Sequence, residues 1–326
     1  MDTTSSKSLK VAIGRVYLSS FDPEAMEESI QKSHFEHYLD SPGQFHGTIL
    51  QATNARTRLD WGRYNLPVLA RGPAPPDRMT LGVLLNERHE SLFNGSVLSP
   101  GSMMVYGEGE ELNVRLTPNS NWLSIQVDRP TLAEIGIEFP DSGFRCWDTG
   151  AGRALRAQIL KNARFLESAS QRTRWADTLA ANQAINDVED DVLLTLAGFT
   201  EGRRFYSESS MTSTDRTLQT VREAASYMDA NVEFPITMSE ICLALNTNIK
   251  ALERAFLRTY GLGPKQYLLK KRLSKLRQLL ICGSDREHAL MDAYLSCGLF
   301  HFGRAAQNYK AFFGELPSLT LSRSRS

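Results

Sequence analysis

Between Ile236 and Pro264 the chain carries helix start and stop signals at spacings that leave little freedom in local structure. Thr237 and Glu240 stand three apart in TMSE, where each side chain can satisfy the other end of a helix N-terminus, and Ile236 and Ile241 sit where an apolar staple would close over it. A helix is therefore predicted from about residue 238 through Ile241, Cys242 and Leu245. It stops at Asn246-Thr247, because Asn tolerates the left-handed backbone of a tight turn. Asn248 can cap a second helix, which Gly261 ends. On that second helix Leu252 and Phe256 share one face for packing, while Lys250, Arg254, Leu257 and Arg258 lie opposite. A short helix, a tight turn and a second helix with a basic outer face make helix-turn-helix geometry, in which the second helix enters a DNA major groove.

Gly263-Pro264 then opens a longer helix through KQYLLKKRLSKLRQLL, with Pro in the first turn and charges that are all basic: Lys265, Lys270, Lys271, Arg272, Lys275 and Arg277. Most of these six read as solvated or as general phosphate attraction. At 1.5 Å per residue, positions 264 to 281 span about 27 Å. A second short helix is expected within REHALMDAYLSC, a turn at Gly298, and a further helix in FGRAAQNYKAFF. There Ala305, Tyr309 and Phe312 face inward, and Gly303 and Gln307 face out between Arg304 and Lys310. A rod of about 27 Å with flanking turns can hold two such outer helices about 34 Å apart, one turn of B-DNA.

The charge distribution agrees. The chain has 37 Lys and Arg against 37 Asp and Glu, but from Asp215 onward 16 basic residues face 10 acidic ones. The basic excess sits in the helical part and the acidic excess before it, which points to a polyanionic partner for the C-terminal part alone.

Two stretches carry a family resemblance: TMSEICLALNTNIKALERAFLRTYGLGPKQYLLKKRL and CGLFHFGRAAQNYKAFFGELPSLTL. Together, with Gly261, Pro264, Gly298, Gly314 and Pro317 in place, they resemble the AraC/XylS family of bacterial transcription regulators. The ending GLFHFGRAAQNYKAFFGELPSLTL is most similar to the ethanolamine-operon regulator branch. The resemblance implies a sequence-specific regulator of bacterial promoters that binds double-stranded DNA as a homodimer. It allows a small-molecule effector and RNA polymerase as further partners. It implies base reading from Lys250, Glu253 and Arg254 on the first outer helix, with Asn248 and Arg258 beside them. On the second it implies reading from Phe302, Gly303 and Gln307, with Arg304 and Lys310 as phosphate contacts. Three residues depart from the family pattern: Gly303 offers no side chain, Ala289 stands where Ser or Thr caps, and Tyr294 replaces a small residue. The branch suggests ethanolamine with a cobalamin as effectors.

Before residue 150 the reading is different. GTILQAT, TRLDWGRY, PVLAR, MTLGVLL, SVLSP, MMVYG, LNVRLT and WLSIQV are short, partly alternating segments separated by turn-rich pieces such as RGPAPPD, NGS and GEGEE. Many short strands imply a β-sandwich or barrel, and the resemblance makes it cupin-like. The chain is thus expected to be α+β. A cupin-like sensory domain takes residues 1–150 and a helical dimerisation segment 151–200. A Ser/Thr-rich linker follows at 201–217, and an all-α domain with two helix-turn-helix motifs at 218–326. Leu155, Ile159, Ala163 and Leu166 recur at helical spacing and form the stripe expected to dimerise, unless the chain's own β-domain covers it. Phe45, Trp61, Tyr64, Phe93, Tyr106 and Trp122 are the candidate liners of a ligand site, with plain core packing the alternative.

No metal is expected. His34-Phe-Glu-His37 is not the HxH of metal-binding cupins, and Cys146, Cys242, Cys282 and Cys297 form no CxxC pair. No cofactor motif of the GxGxxG, GxSxG or phosphate-loop type occurs, and no apolar run approaches a membrane span. The chain is expected to be cytoplasmic and not an enzyme. The alternative is a cupin-like β-barrel enzyme carrying a DNA-binding tail.

Overall fold

The computed structural model of the chain describes residues 12–30, 33–54, 56–85, 90–134, 136, 144–147, 211–282 and 289–324, with individual helical positions between 157 and 197. The N-terminal part folds as two facing antiparallel sheets. The strands are β1 (Ala12–Leu18), β2 (Glu36–Leu39), β3 (Gly47–Thr53), β4 (Thr57–Tyr64), β5 (Val68–Pro73), β6 (Met79–Leu84), β7 (Ser91–Phe93), β8 (Ser96–Leu98), β9 (Met103–Tyr106), β10 (Glu111–Leu116), β11 (Ser120–Val127) and β12 (Phe144–Trp147). The larger sheet has the order β1-β3-β4-β11-β6-β9-β12 and the smaller β2-β5-β10-β7-β8. Short helices α1 (Pro23–Glu28) and α2 (Arg129–Glu134) flank them, α1 capped by the Asp22 side chain.

Side-chain alternation distributes three apolar layers. On β4, Leu59 and Trp61 point to the outer face of the larger sheet, where Leu81, Val105, Leu123 and Ile125 join them under Leu160, Leu193 and Ala197 of the helical segment. Tyr64 points to the inner face and meets Val68, Phe93, Leu112 and Val114 of the smaller sheet. The third layer lies on the far side of the smaller sheet. There Tyr38 and Leu69 pack directly against Val221, Met228, Ile241, Phe256, Tyr260 and Tyr267 of the C-terminal helices. Leu69 is fully buried by this contact, so the helical domain rests on the smaller sheet as the fourth layer of one stack.

The C-terminal helices are α3 (Met211–Ala230), α4 (Met238–Ala244), α5 (Ile249–Tyr260), α6 (Pro264–Ile281), α7 (Ala289–Ser296), α8 (Phe302–Phe313) and α9 (Pro317–Ser324). All eight segments read as strands form strands; β1, β2, β7 and β12 were not expected. The reason is visible in EHYL of β2, which is covered on both faces and so shows no apolar–polar alternation. Residues 211–217, expected as linker, are the opening turns of α3; 201–210 lie outside the described residues. So do Leu155, Ile159, Ala163 and Leu166, the expected dimerisation stripe. Among the described residues no helix is long and apolar enough to cross a membrane.

Candidate nucleic-acid interface

The first helix pair forms as its signals dictate. Thr237 and Glu240 make the reciprocal capping box, and Asn246 takes the left-handed backbone at φ 49°. Asn248 Oδ1 accepts from the Ala251 amide at 2.9 Å, so its side chain is committed to the cap of α5 although the residue is exposed. Leu252 and Phe256 are fully buried against α3 and the sheet. Lys250, Glu253, Arg254 and Arg258 are exposed on the opposite face. Lys250 and Arg254 stand one turn apart, with Arg254 Nε 3.4 Å from the Lys250 carbonyl. Arg258 lies at the sheet end of α5, beside the Asn94-Gly95 turn of the β7–β8 hairpin.

The second pair repeats the plan with different residues. Gly298 makes the turn at φ 64°, and Gly314 ends α8 at φ 77°. Ala305 and Tyr309 are buried, while Phe302, Gly303, Arg304, Gln307 and Lys310 are exposed. Tyr294 is buried on α7 and stacks on Phe302 with ring centroids 5.2 Å apart. The unusual Tyr therefore supports the Phe302 ring, which stays 38% exposed. Around Gly303 an added Cβ would meet nothing within 4 Å. Both outer helices thus present cations and hydrogen-bonding groups on a solvent-facing side and anchor the opposite side in apolar packing. That is the arrangement needed to lay a helix in a groove.

The rod between them does something the sequence did not announce. Of its six cations only Lys265 is exposed; Lys270, Lys271 and Arg277 are buried and Arg272 and Lys275 half-buried. Lys271 Nζ reaches Glu36 Oε2 of β2 at 3.0 Å and Tyr38 Oη at 2.8 Å, and also pairs with Asp229 of α3. Arg71 of β5 completes the cluster, donating to Asp229 at 2.9 Å and to Glu111 at 3.0 Å. Lys270 pairs with Asp40 at 3.1 Å, and its ammonium lies over the Phe312 ring. Arg277 donates to the Phe21 carbonyl, the Tyr309 hydroxyl and Glu315. The expectation that these cations are solvated or attract phosphate is corrected for these three: they hold the helical domain on the sheet. Burial alone would raise the Glu36 carboxyl, but the charge of Lys271 and the Tyr38 hydroxyl outweigh it, so its pKa lies below the ordinary value. Burial opposes charge on Lys271 too, yet the surrounding anionic partners raise it overall, whereas for Lys270 burial wins and lowers it.

A cavity of about 70 Å³ lies between the two sheets. Tyr64, Phe93, Tyr106 and Trp122 line it, four of the six aromatic residues expected there. Trp61 does not, because strand alternation turns it to the outer face, where its Nε1 donates to Asn121. Phe45 belongs to the same inner apolar layer but packs edge-on against Phe21 rather than on the cavity. His37 and Thr80, not anticipated as liners, contribute polar atoms to the wall. His34 is exposed and His37 buried on a strand, and among the described residues no group of three His, Cys, Asp or Glu could hold a metal.

Residues 241–323 match the family described as Helix-turn-helix domain. The chain is 28% identical to the XylDLEGF operon transcriptional activator of Pseudomonas putida over 133 residues, 41% of this chain and 39% of that one. It is 34% identical to the HTH-type transcriptional regulator ArgR of Pseudomonas aeruginosa over 95 residues, 29% of this chain and 28% of that one. The match therefore spans less than half the length of these curated relatives. Among solved structures, the AraC-like transcriptional activator CuxR superposes with a TM-score of 0.40 at 13% identity, covering 87% of this chain and 100% of that one. ToxT from Vibrio cholerae does so with a TM-score of 0.31 at 9% identity, covering 96% and 97%.

Proposed function

We propose that this chain is a DNA-binding transcriptional regulator of the AraC/XylS type, in which residues 218–326 read promoter DNA and the N-terminal sheets modulate that reading. One observation carries it. Within the matched helix-turn-helix segment, Lys250, Glu253 and Arg254 on α5 and Arg304, Gln307 and Lys310 on α8 are exposed, while Leu252, Phe256, Ala305 and Tyr309 beneath them are buried. Neutralised phosphates release counterions, so binding falls steeply with salt. The test is a genomic DNA pull-down with the full chain, followed by gel shifts on the recovered sites at rising salt. A shared site beside a promoter supports the reading; no enriched site, or binding indifferent to salt, refutes it.

The finer assignments follow from the same reading. The sheet domain, cupin-like in this reading, holds a cavity for a small effector. Ethanolamine does not suit it, since no carboxylate among the described residues lines the cavity to hold an ammonium group. A cobalamin exceeds its volume many times over. The homodimer is assigned to the 151–199 segment. Leu160, Leu193 and Ala197 of that segment cover the outer face of the larger sheet, while Leu194 is 62% exposed and offers apolar surface to a second copy. Light scattering at micromolar concentration should give twice the chain mass of 36.5 kDa.

A further inference from the structure

The cavity between the sheets has an unusual wall. Phe93, Met104 and other apolar side chains make most of it, yet four of its polar atoms lack any hydrogen-bond partner: His37 Nδ1, Tyr64 Oη, Thr80 Oγ1 and Trp122 Nε1. His37, Tyr64 and Thr80 are themselves at most 3% exposed. A buried polar group left unpaired is costly, and four on the residues that line one space need an explanation. Among the described residues that line the space none is charged. Burial pushes the His37 imidazole down to about 4, against the raising effect of its hydrogen bond to the Phe35 backbone, so it is neutral at pH 7. The indole can only donate, whereas the hydroxyls can donate or accept. The volume of about 70 Å³ is about half that of a cavity known to admit benzene.

His37 also stands at a junction. It sits on β2, the edge strand of the smaller sheet, which is paired on one side by β5. Phe35, His37 and Leu39 turn toward the space between the sheets, and Glu36 and Tyr38 turn toward the helices. Those two outward residues hold Lys271 of α6. One four-residue strand therefore has the cavity on one face and the clamp to the helix-turn-helix rod on the other.

We propose that the cavity binds a small uncharged molecule of a few non-hydrogen atoms with hydrogen-bonding oxygen or nitrogen, such as a short amide or alcohol, and that β2 transmits its presence to the clamp at Lys271. This rests on the effector reading above and adds the chemical class and the route. A charged ligand would lose its hydration at a wall lined by no charged side chain among the described residues. An uncharged one carrying an acceptor takes the indole N–H, and its contact with the imidazole fixes the position of β2. An edge strand held by one ladder can shift by small amounts without disrupting the sheet.

The test uses the full chain and four probes of similar size: acetamide, propan-2-ol, acetate and ethylammonium. The indole resonance of Trp122, identified by its loss in Trp122→Phe, reports binding. Acetamide and propan-2-ol at millimolar concentration should move it, and acetate and ethylammonium should not. Thr80→Val and Tyr64→Phe should each weaken probe binding roughly five-fold, the share of one hydrogen bond. Thr80→Val keeps the side-chain shape, so it remains informative if Tyr64→Phe folds poorly. Hydrogen exchange at residues 36–39 and along 264–281 should slow with acetamide bound. Charged probes binding as well as neutral ones would overturn the uncharged class, and no probe binding, or unchanged affinity in both variants, would show that the four groups are served by water alone. Probe binding with no change of exchange at β2 would overturn the route. None of these readouts contains DNA, so they stand apart from the gel shifts that test the regulator itself.

Discussion

Lys271 on α6 donates to Glu36 on β2 at 3.0 Å, joining residues 235 positions apart in the chain. Asp229 from α3 and Tyr38 from β2 approach the same ammonium. Lys271 is buried, but Glu36 and Asp229 keep 47% and 34% of their side chains exposed, so water compensates them in part when Lys271 is removed and the cost is about 1–2 kcal/mol. Lys271→Ala should therefore lower stability by that order in urea denaturation. Glu36→Gln should cost clearly less, because Asp229 still neutralises Lys271. Equal effects of the two would show that the cluster is not centred on Lys271.

Sequence choice should come mainly from α5. Arg254→Ala should cost roughly 1–3 kcal/mol in DNA affinity and relax the preference at one or two base pairs, as expected for loss of a guanine contact. Lys310→Ala should weaken binding to all sequences alike and reduce the salt slope by about one unit. Selection from random oligonucleotides with both variants decides it. A selected site unchanged by Arg254→Ala but scrambled by Gln307→Ala would reverse the assignment.

The two turns tolerate change differently. Asn246 and Gly298 both hold left-handed backbone, but a Cβ on Gly298 would stand 2.4 Å from the Val232 carbonyl oxygen. Gly298→Ala adds that clash to the conformational strain and should cost about 2–3 kcal/mol. Asn246→Gly should be nearly neutral. Thermal unfolding of the two variants measures the contrast, and a Gly298→Ala protein as stable as the parent would contradict the geometry.

Acid should loosen the sheet domain through His37. Its folded pKa of about 4 lies below the usual 6.5, so the unfolded chain binds the proton first as pH falls. It costs nothing above pH 6.5; as the pH falls from 6.5 to 4 the unfolded chain is progressively favoured, and the stability lost at the lower end reaches roughly 3 kcal/mol. His37→Gln should flatten the stability profile in that window. An identical slope in the variant would place the acid sensitivity elsewhere.

The helical half was the more legible in sequence because its signals are local. A capping box at Thr237 and Glu240, an Asn at 246, and Gly at 261, 298 and 314 each specify backbone geometry within a few residues. The strands with turn-rich flanks were legible for the same reason. What escaped depends on distant partners. Lys270, Lys271 and Arg277 read as a solvated basic face because nothing near them in sequence is acidic; their partners Asp40, Glu36 and Glu315 come from the loop after a remote strand, that strand itself and the last turn before α9. His37 and Thr80 gave no cue because a strand covered on both faces lacks the alternation that reveals which way its side chains point.

The open space at Gly303 has a consequence for how such a chain can change. Gly303 is the second residue of α8, where glycine forgoes up to about 1 kcal/mol relative to alanine, and no neighbouring atom within 4 Å would obstruct an added Cβ. The position is a vacant contact site already aimed outward on α8. A single substitution there, to Arg or Asn for instance, would add a reader of guanine or adenine without disturbing the packing of Ala305 and Tyr309 on the other face. On the proposed docking of α8, new target sites are therefore one mutation away, at little cost to the fold.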